Sequence, residues 1–186
     1  MVTTKLKPTQ DPRQAWVLGA VVVGLVLFFG LVVLPYVDPG NSRGKDASDF
    51  SLEVIYGGDP GNRIRLSDLK GNVVVLDFWA SWCGPCRQQT PIVDGVAKNF
   101  KQQDVVVVGV NTGDRRQLAE EFLQKHPVSY ASVIDIDGSA SEAFGVSRLP
   151  TIVVLDRAGR ITYSAAQVVS AQTLTELVSE ALKGPS

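Results

Sequence analysis

The apolar positions of this chain fall into two regimes. The nineteen residues 16–34, opened by Trp16 and closed by Leu34, are almost continuously apolar and carry no charge. Beyond residue 50 the apolar positions break into short runs separated by Gly, Pro, Asn, Asp and Ser. As a helix the first stretch would span about 28 Å, close to the roughly 30 Å hydrocarbon core of a bilayer. A signal peptide has a shorter apolar region, about 7–15 residues, ended by small residues; this stretch ends Leu34-Pro35-Tyr36. Residues 16–34 are therefore expected to form an uncleaved transmembrane anchor, with Trp16 and Tyr36 as interfacial aromatics. Residues 1–15 form a tail with Lys5, Lys7 and Arg13, against Arg43 and Lys45 on the other side. That excess predicts the tail inside the cell and the rest outside. Residues 35–49, rich in Gly, Pro, Asn, Ser and Asp, read as a linker.

Residues 50–186 alternate between strand and helix patterns. Strands are expected at 50–56 and 63–66 around the turn cluster 57–62, and a turn at 67–72 leads into 73–79. That run, Val73-Val74-Val75-Leu76-Asp77-Phe78-Trp79, reads as a buried strand. A helix follows from Arg87 to Gln102, with Ile92, Val96 and Phe100 on one face. Next come a strand at 105–110, a helix at 117–125 with Leu118 and Phe122 inward, a strand at 131–134 and a short helix at 139–144. A hairpin is expected over 151–155 and 160–164. Ser170 caps a last helix whose Leu174, Leu177, Val178 and Leu182 share a face. This alternation predicts a three-layer α/β domain with a mostly parallel core. About 135 residues bury a sufficient core without disulfide support.

Composition narrows the chemistry. Eighteen Lys and Arg against nineteen Asp and Glu leave a net charge of −1, which gives no footprint for nucleic acid. Both cysteines lie in Trp82-Cys83-Gly84-Pro85-Cys86. Such a pair can be redox-active, half a zinc site or inert. A zinc site needs two further ligands, and the chain has no third cysteine and one histidine, His126, beside Pro127. No metal is expected, and His126 reads as a surface turn residue. The cysteines sit where a strand hands over to a helix N-terminus, whose free N–H groups and dipole stabilise a thiolate. Pro85 suits the first turn, where its missing N–H is not needed. Asp135-Ile136-Asp137-Gly138 opens like a calcium loop, but the later ligands do not follow and it reads as a turn. Asp77 is the one charge in its strand; it is either an edge position or a buried carboxylate with a raised pKa.

The segment from Leu76 to Cys86 resembles the active-site segment of thioredoxins, and Leu149-Pro150-Thr151 resembles their cis-proline segment. Ile64-Arg65-Leu66-Ser67-Asp68-Leu69-Lys70-Gly71 is similar to the membrane-anchored, extracytoplasmic thioredoxin-like proteins of bacteria, the TlpA, ResA and CcmG group. The resemblance implies a thioredoxin-like three-layer α/β fold with a central mixed sheet. It implies a redox-active disulfide Cys83–Cys86 and no other cofactor. Cys83 would be the exposed nucleophile and Cys86 the buried resolving thiol. Pro150 would be cis, facing the cysteines, and Leu149 would pair with an extended substrate segment; Trp82, Gly84 and Pro85 would complete the contact surface. Asp77 would accept a proton behind Cys86, at a position where many anchored relatives carry an amide. Gln89 stands where some heme-maturation members have a glutamate. Residues 145–149, Gly-Val-Ser-Arg-Leu, lack the glycine-alanine-proline-glutamate pattern of one CcmG branch.

The resulting expectation is a thiol–disulfide oxidoreductase, anchored in the inner membrane by a single span with its domain on the periplasmic side. It would reduce oxidised proteins, apocytochrome c among them, with electrons from a transmembrane thiol carrier. The rival readings are a disulfide oxidant or isomerase, a non-catalytic thioredoxin-like binding domain, and a copper or zinc chaperone.

Overall fold

The computed structural model describes residues 19, 21–25, 27–28, 44–59 and 61–184. It divides into two units, Met1–Asn41 and Ser42–Ser186. In the first unit the described residues are helical, and Val21, Val22, Val23, Leu25, Leu27 and Phe28 are each more than half exposed. Trp16, Leu34 and Tyr36, which bound the expected anchor, lie outside the described residues. No helix among the described residues is long and apolar enough to cross a membrane.

The second unit is built on strand β3, Val73–Trp79, whose seven residues are all buried. Its neighbours are β4 (Val105–Thr112) and β6 (Thr151–Leu155). With β1 (Ser51–Tyr56), β2 (Arg63–Arg65), β5 (Ala131–Asp135) and β7 (Ile161–Ala165) they form one sheet in the order β2-β1-β5-β4-β3-β6-β7. Side chains alternate across β3, so one run of apolar residues feeds two cores. Val74, Leu76 and Phe78 pack with Phe50, Leu52, Val108, Phe144 and Leu155 on one face. Val73 and Val75 pack on the other face with helices α1 (Cys86–Asn99) and α4 (Ala171–Lys183), through Val93, Val96, Leu174 and Val178. Ser170 caps α4 by accepting the Thr173 N–H at 3.1 Å. Helices α2 (Arg116–Lys125) and α3 (Ser139–Ala143) complete the domain.

The sheet corrects the expectation of a mostly parallel core. Only β3–β4 and β4–β5 are parallel; β1–β2, β1–β5, β3–β6 and β6–β7 are antiparallel. The reason lies in α3. Its five residues span only ~7.5 Å, too little to return the chain along a strand of roughly 17 Å. β6 therefore starts at the end of the sheet where β5 finished, and runs against β3. Residues 44–47, within the expected linker, lie along β7: Gly44 donates to Ile161 O at 2.8 Å and Ala47 to Gly159 O at 2.9 Å.

Gly109 on β4 is a point of close approach on the sheet face. A Cβ there would lie 2.8 Å from Ser132 Oγ, 3.1 Å from Trp79 Nε1 and 3.2 Å from Tyr130 Cε2. Gly109→Ala should therefore destabilise the domain by about 1–3 kcal/mol through overpacking. Urea unfolding of the two proteins checks this; equal stability would mean that the three side chains relax freely.

Candidate active site

The last residues of β3 deliver the chain to Ala80 and the cysteine turn. Cys83 and Cys86 form a disulfide with an S–S distance of 1.99 Å. The turn is closed by Cys83 N–H donating to Ala80 O at 3.1 Å, and α1 starts at Cys86 with Pro85 before it. The Cys86 backbone N–H donates to Cys83 Sγ at 3.2 Å. A free helix N-terminal donor thus points at one sulfur of the pair, the arrangement that favours a thiolate at Cys83 once the pair is reduced.

Cys83 is not the exposed residue that the resemblance implies. It is 3% exposed and Cys86 1%, both packed with Trp79, Ala80, Ala119, Phe122 and Leu123. Helix α2 and the disulfide itself hold Cys83 inside this cluster. What is exposed is the rim: Gly84, Pro85 and Trp82, the last 64% exposed with its indole N–H donating to Gly113 O at 2.9 Å. The Leu149–Pro150 peptide is cis, and Pro150 is buried. Phe78 pairs with Thr151, so Pro150 lies at the level of Trp79, at the sheet end that carries the cysteines. Leu149 is half-buried and packs against the cluster that contains both cysteines.

Asp77 is 1% exposed, on a strand with neighbours on both sides, so the edge reading does not hold. Burial raises its pKa to about 7, with the Tyr130 hydroxyl, donating to Oδ2 at 3.4 Å, pulling the other way. Its Oδ1 has no hydrogen-bond partner. Asp77 lies on the same face as Trp79, two residues or ~6.6 Å further into the sheet, and Trp79 packs with both cysteines. Gln89 is fully buried; its Oε1 accepts the Val169 N–H at 2.6 Å and ties α1 to the loop before α4. His126 is exposed at the end of α2, its ring centroid 4.7 Å from that of Phe122. Asp135 is buried and caps α3, accepting from Ala140 N at 3.1 Å and Ser141 N at 2.8 Å. Among the described residues no three His, Cys, Asp or Glu side chains are grouped to hold a metal ion.

Sequence reasoning missed the residues that hold the cysteine turn. Asp114, just beyond β4, accepts from Ser81 N at 2.6 Å and Ser81 Oγ at 3.0 Å, and Asn111 Nδ2 donates to it at 3.1 Å. The polar run Asn111-Thr112-Gly113-Asp114 at a strand end was the available signal. Tyr130 left no signal, because a buried tyrosine before a strand looks like any core aromatic.

A mixed sheet with a buried Cys-Gly-Pro-Cys disulfide at the junction of its central strand and a helix, and a cis-proline beside it, defines a thioredoxin-like thiol–disulfide oxidoreductase. The chain belongs to the Redoxin family, which matches residues 42–180. Members of this family work through a redox-active cysteine pair without an external cofactor, here Cys83 and Cys86. The chain is 34% identical over 152 residues to the thiol–disulfide oxidoreductase ResA of Bacillus subtilis (strain 168), covering 80% of this chain and 83% of that protein. The structure of a putative thiol:disulfide interchange protein DsbE from Chlorobium tepidum is similar at a TM-score of 0.69 and 33% identity, over 75% of this chain and 97% of that one. That of MTB dsbF, in mixed oxidized and reduced forms, gives 0.65 and 31% over 71% and 94%.

The raised pKa of Asp77 makes stability pH-dependent. Its unfolded pKa lies near 4 and its folded one at about 7. The protonated acid's contribution is complete below pH ~4 and is lost as pH rises through 7. Stability should fall by roughly 4 kcal/mol at most from this group between pH 4 and pH 8. Asp77→Asn should remove that slope and be as stable as the parent or more so at pH 8. Urea unfolding across the range checks the sign; an Asn variant that is clearly weaker at pH 8 would contradict it.

Proposed function

We propose that this protein is an anchored extracytoplasmic reductant of protein disulfides. The single observation that carries the chemistry is the Cys86 N–H aimed at Cys83 Sγ within a buried pair. In the reduced enzyme the Cys83 thiolate attacks one sulfur of a substrate disulfide and expels the other as a thiolate. The Cys86 thiol passes its proton to Asp77. The Cys86 thiolate then attacks Cys83 Sγ, forming the intramolecular disulfide and releasing the second substrate thiolate. The substrate gains two electrons and the enzyme pair loses two. Leu149, beside the cis Pro150, offers backbone for an extended substrate segment, while Trp82, Gly84 and Pro85 form the exposed rim it meets.

The reductant direction rests on Gly84-Pro85 between the cysteines, the pairing of thioredoxins. Outside the cytoplasm such an enzyme needs a transmembrane thiol carrier as its electron donor. Apocytochrome c is among the acceptors we propose; Gln89 in place of a glutamate argues for a wider set. The anchor is residues 16–34, in the inner membrane, with residues 1–15 inside, a linker over 35–49 and the catalytic domain over 50–186 in the periplasm. Support comes from the uncharged stretch itself and from the exposed apolar residues at 21–23, 25, 27 and 28.

Two experiments test this. Iodoacetamide at pH 7 should label Cys83 before Cys86 in the reduced protein. Full-length Cys86→Ser, recovered from carbonate-washed membranes, should carry disulfide-linked proteins, and Cys83→Ser should not. Preferential labelling of Cys86 would reverse the roles, and a soluble product beginning beyond Leu34 would remove the anchor. In the second, equilibration with glutathione should place the pair well below the oxidising periplasmic catalysts, on a scale where about 30 mV is tenfold. A potential near theirs would make it an oxidant.

A further inference from the structure

We infer that Tyr130 is a positioning residue for the resolving step, its hydroxyl holding the Asp77 carboxylate ready to take the Cys86 proton. This rests on Asp77 being the proton acceptor, as proposed above.

The argument begins at Gly109. β4 lies between β3 and β5, with Asp77 paired to Gly109 and Gly109 to Ser132. Tyr130 stands just before β5, so its ring must cross β4 to reach β3. Only a residue without a side chain leaves that lane open: a Cβ at 109 would come 3.2 Å from Tyr130 Cε2. The ring fills the lane, 7% exposed, and its hydroxyl reaches Asp77 Oδ2 at 3.4 Å. The other donor over Gly109, the Trp79 indole N–H, is engaged by Ser132 Oγ at 3.2 Å. Tyr130 is thus the donor that Asp77 has among the described residues, since Oδ1 has none.

The chemistry follows from the donor's character. A phenol buried beside a carboxylate does not ionise, because burial and the neighbouring Asp77 and Asp94 both push its pKa upward. It can only donate to the carboxylate, which favours the ionised form of Asp77 against the cost of burial. Asp77 therefore releases its proton at a lower pH than burial alone would set, and is available as a base near neutrality. On α1, packed over this face, Cys86 is buried, Asp94 is half-buried and paired with Lys98 at 2.6 Å, and Arg87 is exposed; the charged groups of α4, Glu176, Glu180 and Lys183, are exposed. β4 and β6 present Gly109 and Ile152 beside Asp77, and α4 presents Leu174 and Val178.

Tyr130→Phe keeps the ring and removes the hydroxyl. Reduced full-length protein is mixed with saturating glutathione disulfide, and release of the second glutathione is followed from pH 5.5 to 9.5. Urea stability is measured over the same range. The midpoint of the rate profile should rise by about one unit in Tyr130→Phe, that of the stability profile likewise, and neither should move when Asp77→Asn is already present. A purely structural tyrosine would lower stability equally at every pH and leave both midpoints in place; that result overturns the inference while a slow Asp77→Asn leaves the base reading standing. If Asp77→Asn resolves as fast as the parent at every pH, the base reading falls and the positioning role with it, whatever the stability profile does.

Discussion

Everything in this domain follows from a strand that has no exposed face. β3 is seven residues long and every one is buried, so the chain must supply a layer on each side of it. One side is closed by Phe50, Phe144 and the residues around them, the other by α1 and α4. A central strand also fixes where its C-terminal end emerges, and the cysteine turn is that end. The disulfide is therefore placed by core packing, at the point where hydrogen bonding passes from a sheet ladder to a helix that has not yet satisfied its first N–H groups.

That junction makes two chemically equal thiols unequal. Both sulfurs are buried to nearly the same extent, so solvent exposure does not separate them. What separates them is one backbone donor, from Cys86 to Cys83 Sγ. A low dielectric strengthens such a bond to an anion and penalises a thiolate that lacks one. In the reading proposed above the Cys86 proton goes to Asp77, which shares a face of β3 with Trp79.

The strands and the cysteine chemistry were legible in the sequence because each rests on local pattern. The run from Val73 to Trp79 could be little else than a buried strand, and the hairpin around residues 156–159 is bounded by turn residues. Helix phase was less legible. For α1 the apolar spacing gave Ile92, Val96 and Phe100, and all three pack in the core, Ile92 half-buried at its edge; the buried stripe also takes in Cys86, Gln89, Thr90 and Val93. It starts at the disulfide and includes two polar residues, which hydrophobic periodicity counts as exposed. For α2 the stripe is Ala119, Phe122 and Leu123, with Leu118 at its edge. Strand direction was illegible, because it depended on α3 being too short to cross the sheet. The cis state of Leu149–Pro150 and the buried state of Cys83 depend on neighbours far away in the chain.

The contacts that cross strands were the hardest to see. Tyr130 and Asp77 are 53 residues apart, and their meeting depends on a third residue that contributes no side chain at all. In sequence, Gly109 looks like a flaw in the apolar run 105–110, the kind of glycine that weakens a strand. In space it is the opening through which a polar group reaches the core. The two conformational arguments for glycine in a strand, a bulge or a close approach, are separated here by register. β3, β4 and β5 pair without a shift through this region, so there is no bulge, and close approach is the reason. A buried carboxylate on β3 and a glycine opposite it on β4 thus form one feature: the acid needs a donor, and the missing side chain is what lets the donor in.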